Sequence, residues 1–507
     1  MKPMKATRIL ALLLSLGMAV AIAGCGNPNA NTPAASTEPA PAASAAPAEE
    51  PAEPAATEDI HADIVVVGGG LAGLSAAIKA RENGANVILV EKLAMTGGSS
   101  MRSGGGLGAT ASSVQKEYGI EDSNEAWKEL WVARQETSPA ESLYPDWERV
   151  DWLIDYSKTS IDWYLSLGYA FRRPEGFGVD TVERLHFPGP EGSGAVLTGF
   201  LGNKAQELGV TILLETPATE LVMENGAVAG IKVAAADGER RINAKAVILA
   251  CGGFANNPEL LQRFTPDMAG YAAYTVSSPG NTGDGITMAE AVGAVPFEDM
   301  WVIGLGLATP VSTAASLYWY GNHLFVNMDG ARFTDEGGHY AIVYNDAVYR
   351  SPGGSFMVFS SDAAFAGHVE AAETAEDAEN VFKADTVEEL AALMGVDAAK
   401  LAATIEENNT AAADPFGKPD AIRAKLETAP YYAIKYYPQN MGTFGGVKTT
   451  DNFEVIDASG AAIPGLYAAG EVCNRPFYNQ VYMSGSALQL AGTSGQVAAE
   501  SAVAYVK

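Results

Sequence analysis

The sequence predicts an α/β fold of the Rossmann type, built on a parallel sheet. Three observations predict it. Residues 64–67 form a β-branched run that opens into Gly68-x-Gly70-x-x-Gly73 and then a helical pattern. A second apolar run, 87–90, follows at βαβ spacing and ends on Glu91. Two later runs, "AKAVILACGGF" at 244–254 and "IPGLYAAGEV" at 463–472, are further buried strands that end in glycine-rich turns.

The elements follow in chain order. Lys2, Lys5 and Arg8 precede "ILALLLSLGMAVAIA", an apolar run too short and too close to the start to read as a membrane span. "IAGC", ending on Cys25, comes next. The pattern resembles a bacterial lipoprotein signal over residues 1–25, with Cys25 as the lipidated residue; an ordinary secretory signal is the other reading. Losing the three cations would carry the formal charge from −29 to −32. Residues 26–60 are Ala, Pro, Glu, Ser and Thr with almost nothing large, so they cannot bury enough surface to fold. They read as a tether between an anchor and an extracytoplasmic body lipid-anchored to the bacterial cell membrane.

The whole chain has 507 residues, enough for two or three domains, and is 48% hydrophobic, enough for a large core. Its net charge of −29 argues against nucleic acid, which needs basic surface. Cys251 and Cys473 are far apart and form no CxxC pair, so neither a metal set nor a disulfide framework is expected.

The strongest signal is the stretch from Asp63 to Lys92. The glycines allow a tight turn and close approach of a pyrophosphate to a helix N-terminus. Glu91, 18 residues past Gly73, can accept a hydrogen bond from a ribose hydroxyl. "KLAMTGGSSMRSGGGLGAT", 92–110, then supplies many small residues, suited to an extended segment lying along a bulkier second half of a dinucleotide. "NTGDGITMAEAVGA", 281–294, gives a turn with Asp284 and then a helix.

This set resembles the FAD-dependent family of soluble fumarate reductases, urocanate-type reductases and 3-ketosteroid dehydrogenases, from about residue 61 to the end. The resemblance implies a Rossmann-like FAD-binding domain, 61–296 and 439–507, with an inserted α+β substrate-capping domain, 297–438. It implies FAD held by Gly68, Gly70, Gly73, Glu91, Lys92, Gly97, Gly98, Ser99, Ser103, Gly104, Ala218, Gly253, Asp284, Gly470, Glu471, Ser486, Ala487 and Leu488. The FAD is expected to be non-covalent, because no histidine stands in 95–103 to take a bond. The helix beginning near Ser486 should aim its N-terminus at the flavin. In the cap, "HLFVNMDGARFTDE" resembles the family signature, with Asp335-Glu336 in place of Asn-Glu. Arg332 and Glu336 are expected to hold the cap to the FAD domain, a proton path being the alternative.

The chain departs from the fumarate reductase pattern where that pattern carries charge. A dianion needs fixed cations, above all arginine forks. The family arginine before the flavin-facing helix is Tyr482 here, and a family histidine is Gly442. The proton-donating arginine falls at Ala364 or a neighbour in "VFSSDAAFAG", and the cap histidine near Ile303. The remaining pattern resembles the 3-ketosteroid dehydrogenase branch, which implies catalytic roles for Tyr340, Tyr482 and the Ser486 backbone N–H. Tyr482 and Ser486 would polarise a carbonyl, and Tyr340 would exchange a proton with the α-carbon. His339 is a candidate relay. For that branch's third tyrosine, Tyr118, Tyr144 and Tyr164 remain candidates.

The expectation is an outward-facing terminal reductase, in anaerobic respiration, of the C=C bond of a neutral enone or related compound. It would draw electrons from a separate flavinylated or haem-containing protein. A 3-ketosteroid-type dehydrogenase running the reverse reaction is the alternative, with a fumarate- or urocanate-type carboxylate reductase behind it.

Overall fold

The computed structural model describes residues 60–235, 238–377 and 379–507. The signal-peptide and tether readings, with Cys25, lie outside the described residues, except that Ile60 opens the first strand.

The strand Ile60–Val67 sits mid-sheet. It runs parallel to Val87–Val90 on one side and to Gly238–Leu249 on the other, with Ile64 opposite both Val87 and Ala246. Thr211–Leu213 extends the sheet beyond Val87–Val90, and Ala462–Ala468 extends it beyond Gly238–Leu249, both in parallel. Glu454–Ile456 closes that edge antiparallel. The strands Ala218–Glu224 and Ala227–Ala235 form an antiparallel arm on Gly238–Leu249. Both faces of the centre are covered, which is why residues 64–67 read as an unbroken apolar run rather than an alternating one. Burying each such side chain stabilises the fold by roughly 1.5–3 kcal/mol.

The helix Leu71–Glu82 packs against the C-terminal helix Ser486–Val506. Their backbones nearly touch: a Cβ on Gly495 would lie 2.3 Å from the Ala72 carbonyl oxygen. That contact binds the last element of the chain to the first glycine loop.

A second sheet is antiparallel. Tyr431–Phe444 pairs with Trp301–Ala308, Ser355–Ser360 and Val381–Ala384, and Leu324–Val326 pairs with Ser355–Ser360. Pro438 lies inside the strand Tyr431–Phe444, so the sequence-based limit at 438 falls within an element. Proline fits there because the strand changes partner at that point, from Ser355–Ser360 before it to Trp301–Ala308 around and after it. A small third sheet, Leu107–Gly108, Asp180–His186 and Glu175–Phe177, carries the turn that reaches the candidate site.

Candidate active site

The glycine loop follows from local chemistry. Gly68 has φ +106°, and a Cβ on Gly73 would lie 1.9 Å from the Gly68 carbonyl oxygen. Only glycine lets the loop fold back on the helix. Gly70 is the N-cap of Leu71–Glu82 and offers no side-chain cap, while an added Cβ there meets nothing within 4 Å. The Leu71 N–H turns to Ser100 Oγ at 3.4 Å, and the remaining first-turn amides make this helix end a candidate anion site. The Glu91 carboxylate takes the Gly69 N–H at 2.8 Å and the Leu93 N–H at 2.8 Å, which fixes it beside this loop. The Gly97 N–H donates to the Gly69 carbonyl at 2.8 Å, laying the small-residue segment along the same loop. Ser99 Oγ accepts the Ser278 N–H, and Ser103 Oγ donates to the Ser100 carbonyl. Thr216 donates its N–H to the Glu91 carbonyl, and Ala218, two residues on, opens the arm strand opposite Val233. Lys92 Nζ bonds Thr282 Oγ1 at 2.5 Å and Asp284 Oδ2 at 2.6 Å. Glu471, behind Gly470, accepts from the Thr443 N–H at 2.7 Å and from Asn281 Nδ2 at 3.0 Å. Its burial raises its carboxyl above the usual range.

At the other end of this cradle the chain turns through Gly485, φ +78°, into the helix Ser486–Val506. Tyr482 Oη accepts the Ala487 N–H at 3.4 Å, so the tyrosine hydroxyl stands on the helix N-terminus. Burial pushes this hydroxyl up to about 12; the backbone of Ala487 and Gly485 and the Ser486 side chain oppose the shift. Tyr340, the first residue of the helix Tyr340–Arg350, lies with its ring 6.3 Å from that of Tyr482. Burial raises its hydroxyl well above the ordinary tyrosine range; Tyr482 adds to the rise and a 3.0 Å hydrogen bond with Ser484 Oγ opposes it. Phe177 and Trp319 flank Tyr340 at 6.0 and 6.3 Å. Both are exposed for large apolar side chains, at 41% and 55%.

The loop 475–485 is held from several sides. Gln135 exchanges hydrogen bonds with Asn479 and Val481. Asn345 Nδ2 donates to the Gln480 carbonyl at 3.0 Å. The buried Arg475 guanidinium binds Asp299 and the carbonyls of Tyr478 and Asn479, over the ring of Tyr144.

Three expectations change. The Ser486 N–H, expected to face the substrate, donates to the Met483 carbonyl at 3.1 Å, because the left-handed Gly485 closes a tight turn there. Its hydroxyl lies 2.7 Å from Tyr478 Oη. The amide nearest the Tyr482 hydroxyl belongs to Ala487, one residue on. Second, none of Tyr118, Tyr144 and Tyr164 lies in the Tyr340–Tyr482 cluster. Tyr118 is exposed, Tyr144 stacks under Arg475, and Tyr164 bonds Ser75. Tyr478, 6.0 Å from Tyr482, is the third ring of the cluster. Third, Arg332 and Glu336 do not tie the second sheet to the first. Glu336 binds Arg332, Lys418 Nζ and the Phe325 N–H, and Arg332 also binds Asp414. All lie in residues 323–418, so the network staples that segment to itself.

Gly442 and Ile303 are neighbours: a Cβ on Gly442 would lie 3.3 Å from Ile303 Cδ1. Two positions where cations were considered therefore adjoin without a cation, and the nearest atom to the Gly442 Cβ position is Glu471 Oε1 at 2.8 Å. Ala364 is exposed and accepts from Asn322 with its carbonyl.

Residues 63–488 match the FAD binding domain family. The chain belongs to this FAD-binding family. It is 34% identical to the urocanate reductase of Eggerthella lenta over 83% of this chain and 72% of that one. It is 31% identical to the vinyl phenol reductase of Lactiplantibacillus plantarum, over 80% and 89%. It superposes on the 3-ketosteroid-Δ4-(5α)-dehydrogenase of Rhodococcus jostii with a TM-score of 0.70 and 26% identity, over 89% and 98%. The FAD-binding chain is thus an oxidoreductase whose homologues act on C=C bonds.

The cradle fits the cofactor. The helix end at Gly70, where an added Cβ would meet nothing within 4 Å, suits a pyrophosphate, and the Glu91 carboxylate beside it suits a ribose. Sequence reasoning about this FAD-binding protein missed Ser484, Asp180, Arg134, Phe177 and Trp319. Ser484 had a signal, being the first serine of Ser-Gly-Ser before the helix. The others come from distant segments with no local motif.

Proposed function

We propose that the protein reduces the C=C bond of a neutral α,β-unsaturated carbonyl compound. One observation carries the reading: Tyr482 stands on the N-terminus of Ser486–Val506 beside Tyr340, where a carboxylate site would need an arginine. Bound FAD supplies the hydride to the β-carbon. Tyr482 donates a hydrogen bond to the substrate carbonyl, and the Ala487 N–H polarises its oxygen. Tyr340 gives its proton to the α-carbon. Phe177 and Trp319, packed edge to face with their rings 69° apart, offer an apolar border to the site that favours an uncharged substrate. FAD is held non-covalently, so denaturing the protein frees yellow flavin.

The N-terminal residues support an extracytoplasmic, lipid-anchored enzyme fed by a separate flavinylated or haem-containing electron donor, in anaerobic respiration. A dehydrogenase running the reverse reaction is the second reading, supported by the likeness to a ketosteroid dehydrogenase. One anaerobic assay separates them. Reduced viologen is offered with neutral enones, steroids, urocanate and fumarate, and an oxidised dye with saturated ketones. Enone-dependent viologen oxidation is expected. Turnover of fumarate or urocanate above every enone would overturn the neutral-substrate reading.

A further inference from the structure

Ser484 links Tyr340 to His339. Its Oγ lies 3.0 Å from Tyr340 Oη and 3.4 Å from His339 Nε2. His339 is also the N-cap of Tyr340–Arg350: its Nδ1 accepts the Ala341 N–H at 3.3 Å. A ring nitrogen that accepts carries no proton, so in neutral His339 the proton is on Nε2. Asp180 reinforces that tautomer. Its Oδ2 lies 3.8 Å from Nε2 and is buried with no donor of its own, while Oδ1 is held by Arg134. The ring is buried, and with Arg134 nearby this keeps it neutral.

The direction of each hydrogen bond follows. Nε2–H donates toward Ser484 Oγ. The Ser484 hydroxyl then has one acceptor within reach among the described residues, Tyr340 Oη. Tyr340 receives that bond, which leaves its own O–H free to donate elsewhere.

We propose that Ser484 and His339 are positioning residues that form a one-way hydrogen-bond chain, Ala341 N–H to His339 to Ser484 to Tyr340, which aims the Tyr340 proton at the substrate. The inference rests on the functional reading above. When Tyr340 gives its proton to the α-carbon, its oxygen keeps the electron pair of the broken O–H bond. Ser484 is already donating to that oxygen. No proton passes through the imidazole, because Nδ1 is occupied by the Ala341 N–H. His339 sets the direction of the chain and Ser484 stabilises the charge.

Two variants separate this role from helix capping. His339→Asn keeps a side-chain acceptor for the Ala341 N–H and loses the Nε2 donor. A residue that only caps would tolerate it. The chain predicts that the melting temperature and substrate KM hold while kcat falls at least about tenfold, as for loss of a bond to a charged oxygen. Ser484→Ala should do the same, and Ser484→Thr should restore activity. The double variant should be no slower than Ser484→Ala alone, because both cut one chain. Full activity in His339→Asn or Ser484→Ala, or additive losses, would overturn the proposal. A readout without substrate is nitrogen NMR of the holoprotein labelled at its five histidines, with His339 assigned by its loss in His339→Asn. Nε2 should carry the proton, with no titration of the ring between pH 6 and 9. Arg134, Asp180 and Tyr340 are the titratable or charged groups facing it. A proton on Nδ1 sinks the chain. A correct tautomer with no turnover of any enone by wild type would instead sink the functional reading.

Discussion

Removing only the Tyr482 hydroxyl tests the site most directly. Tyr482→Phe keeps the ring packed against Phe444 and Tyr478, so FAD content and melting temperature should hold. Loss of one positioned donor to a developing oxyanion typically slows the step by about 100- to 1000-fold. Steady-state kinetics on the best enone would show it; an unchanged kcat/KM would reduce Tyr482 to packing. The residue pair Tyr340 and Tyr482 was legible in the sequence because each sits next to a recognisable signature, Asp335-Glu336 or Ser-Gly-Ser. The donor at the helix end was misplaced by one residue, since a left-handed Gly485 cannot be read from sequence. Asp180 was invisible for another reason. It touches His339 only because the small third sheet folds over the site.

At the scale of elements, the loop 475–485 is a span without regular strands that nonetheless carries the key tyrosine. Arg475 is its internal brace, fully buried, and burial lowers its guanidinium to about 10. Arg475→Met would leave the carbonyls of Tyr478 and Asn479 without this donor and Asp299 with Ser142 alone among the described residues. Leaving buried carbonyls without their donor should cost about 1–3 kcal/mol, read as a lower denaturation midpoint, and kcat should fall with it as Tyr482 loosens. An unchanged midpoint would mean that Gln135 and Asn345 hold the loop alone. The four central strands of the first sheet were legible because both-face burial writes a continuous apolar run, whereas Thr211–Leu213, the antiparallel arm and Glu454–Ile456 carry no such run. The second sheet was legible only in outline. Its long strand Tyr431–Phe444 contains a proline, a residue that normally marks an end.

At the scale of the whole molecule, four of the five histidines are buried and neutral: His186, His323, His339 and His368. Burial lowers each, His186 and His368 to about 4. Unfolded histidine titrates near 6.5, so between pH 6.5 and about 4 the unfolded chain binds more protons than the folded one. Stability is then full above pH 6.5 and falls as pH drops through this window, by up to about 1.4 kcal/mol per pH unit per histidine. Thermal melts from pH 8 to 5 should show a steepening fall below 6.5, and His186→Gln should make it shallower. A flat profile would contradict it. The sheet order also has a consequence for synthesis. Val247 and Leu249 pair on one side with Val65 and Val67, but their other partners, Leu466 and Ala468, are made last. While the chain is being made, that strand edge stays open and apolar, a template for wrong pairing. The glycine loop likewise waits for Gly495 to lie against Ala72. The cradle is therefore complete only once residues as far as Gly495 have been made, and until then the glycine loop stands without the helix that packs against Leu71–Glu82.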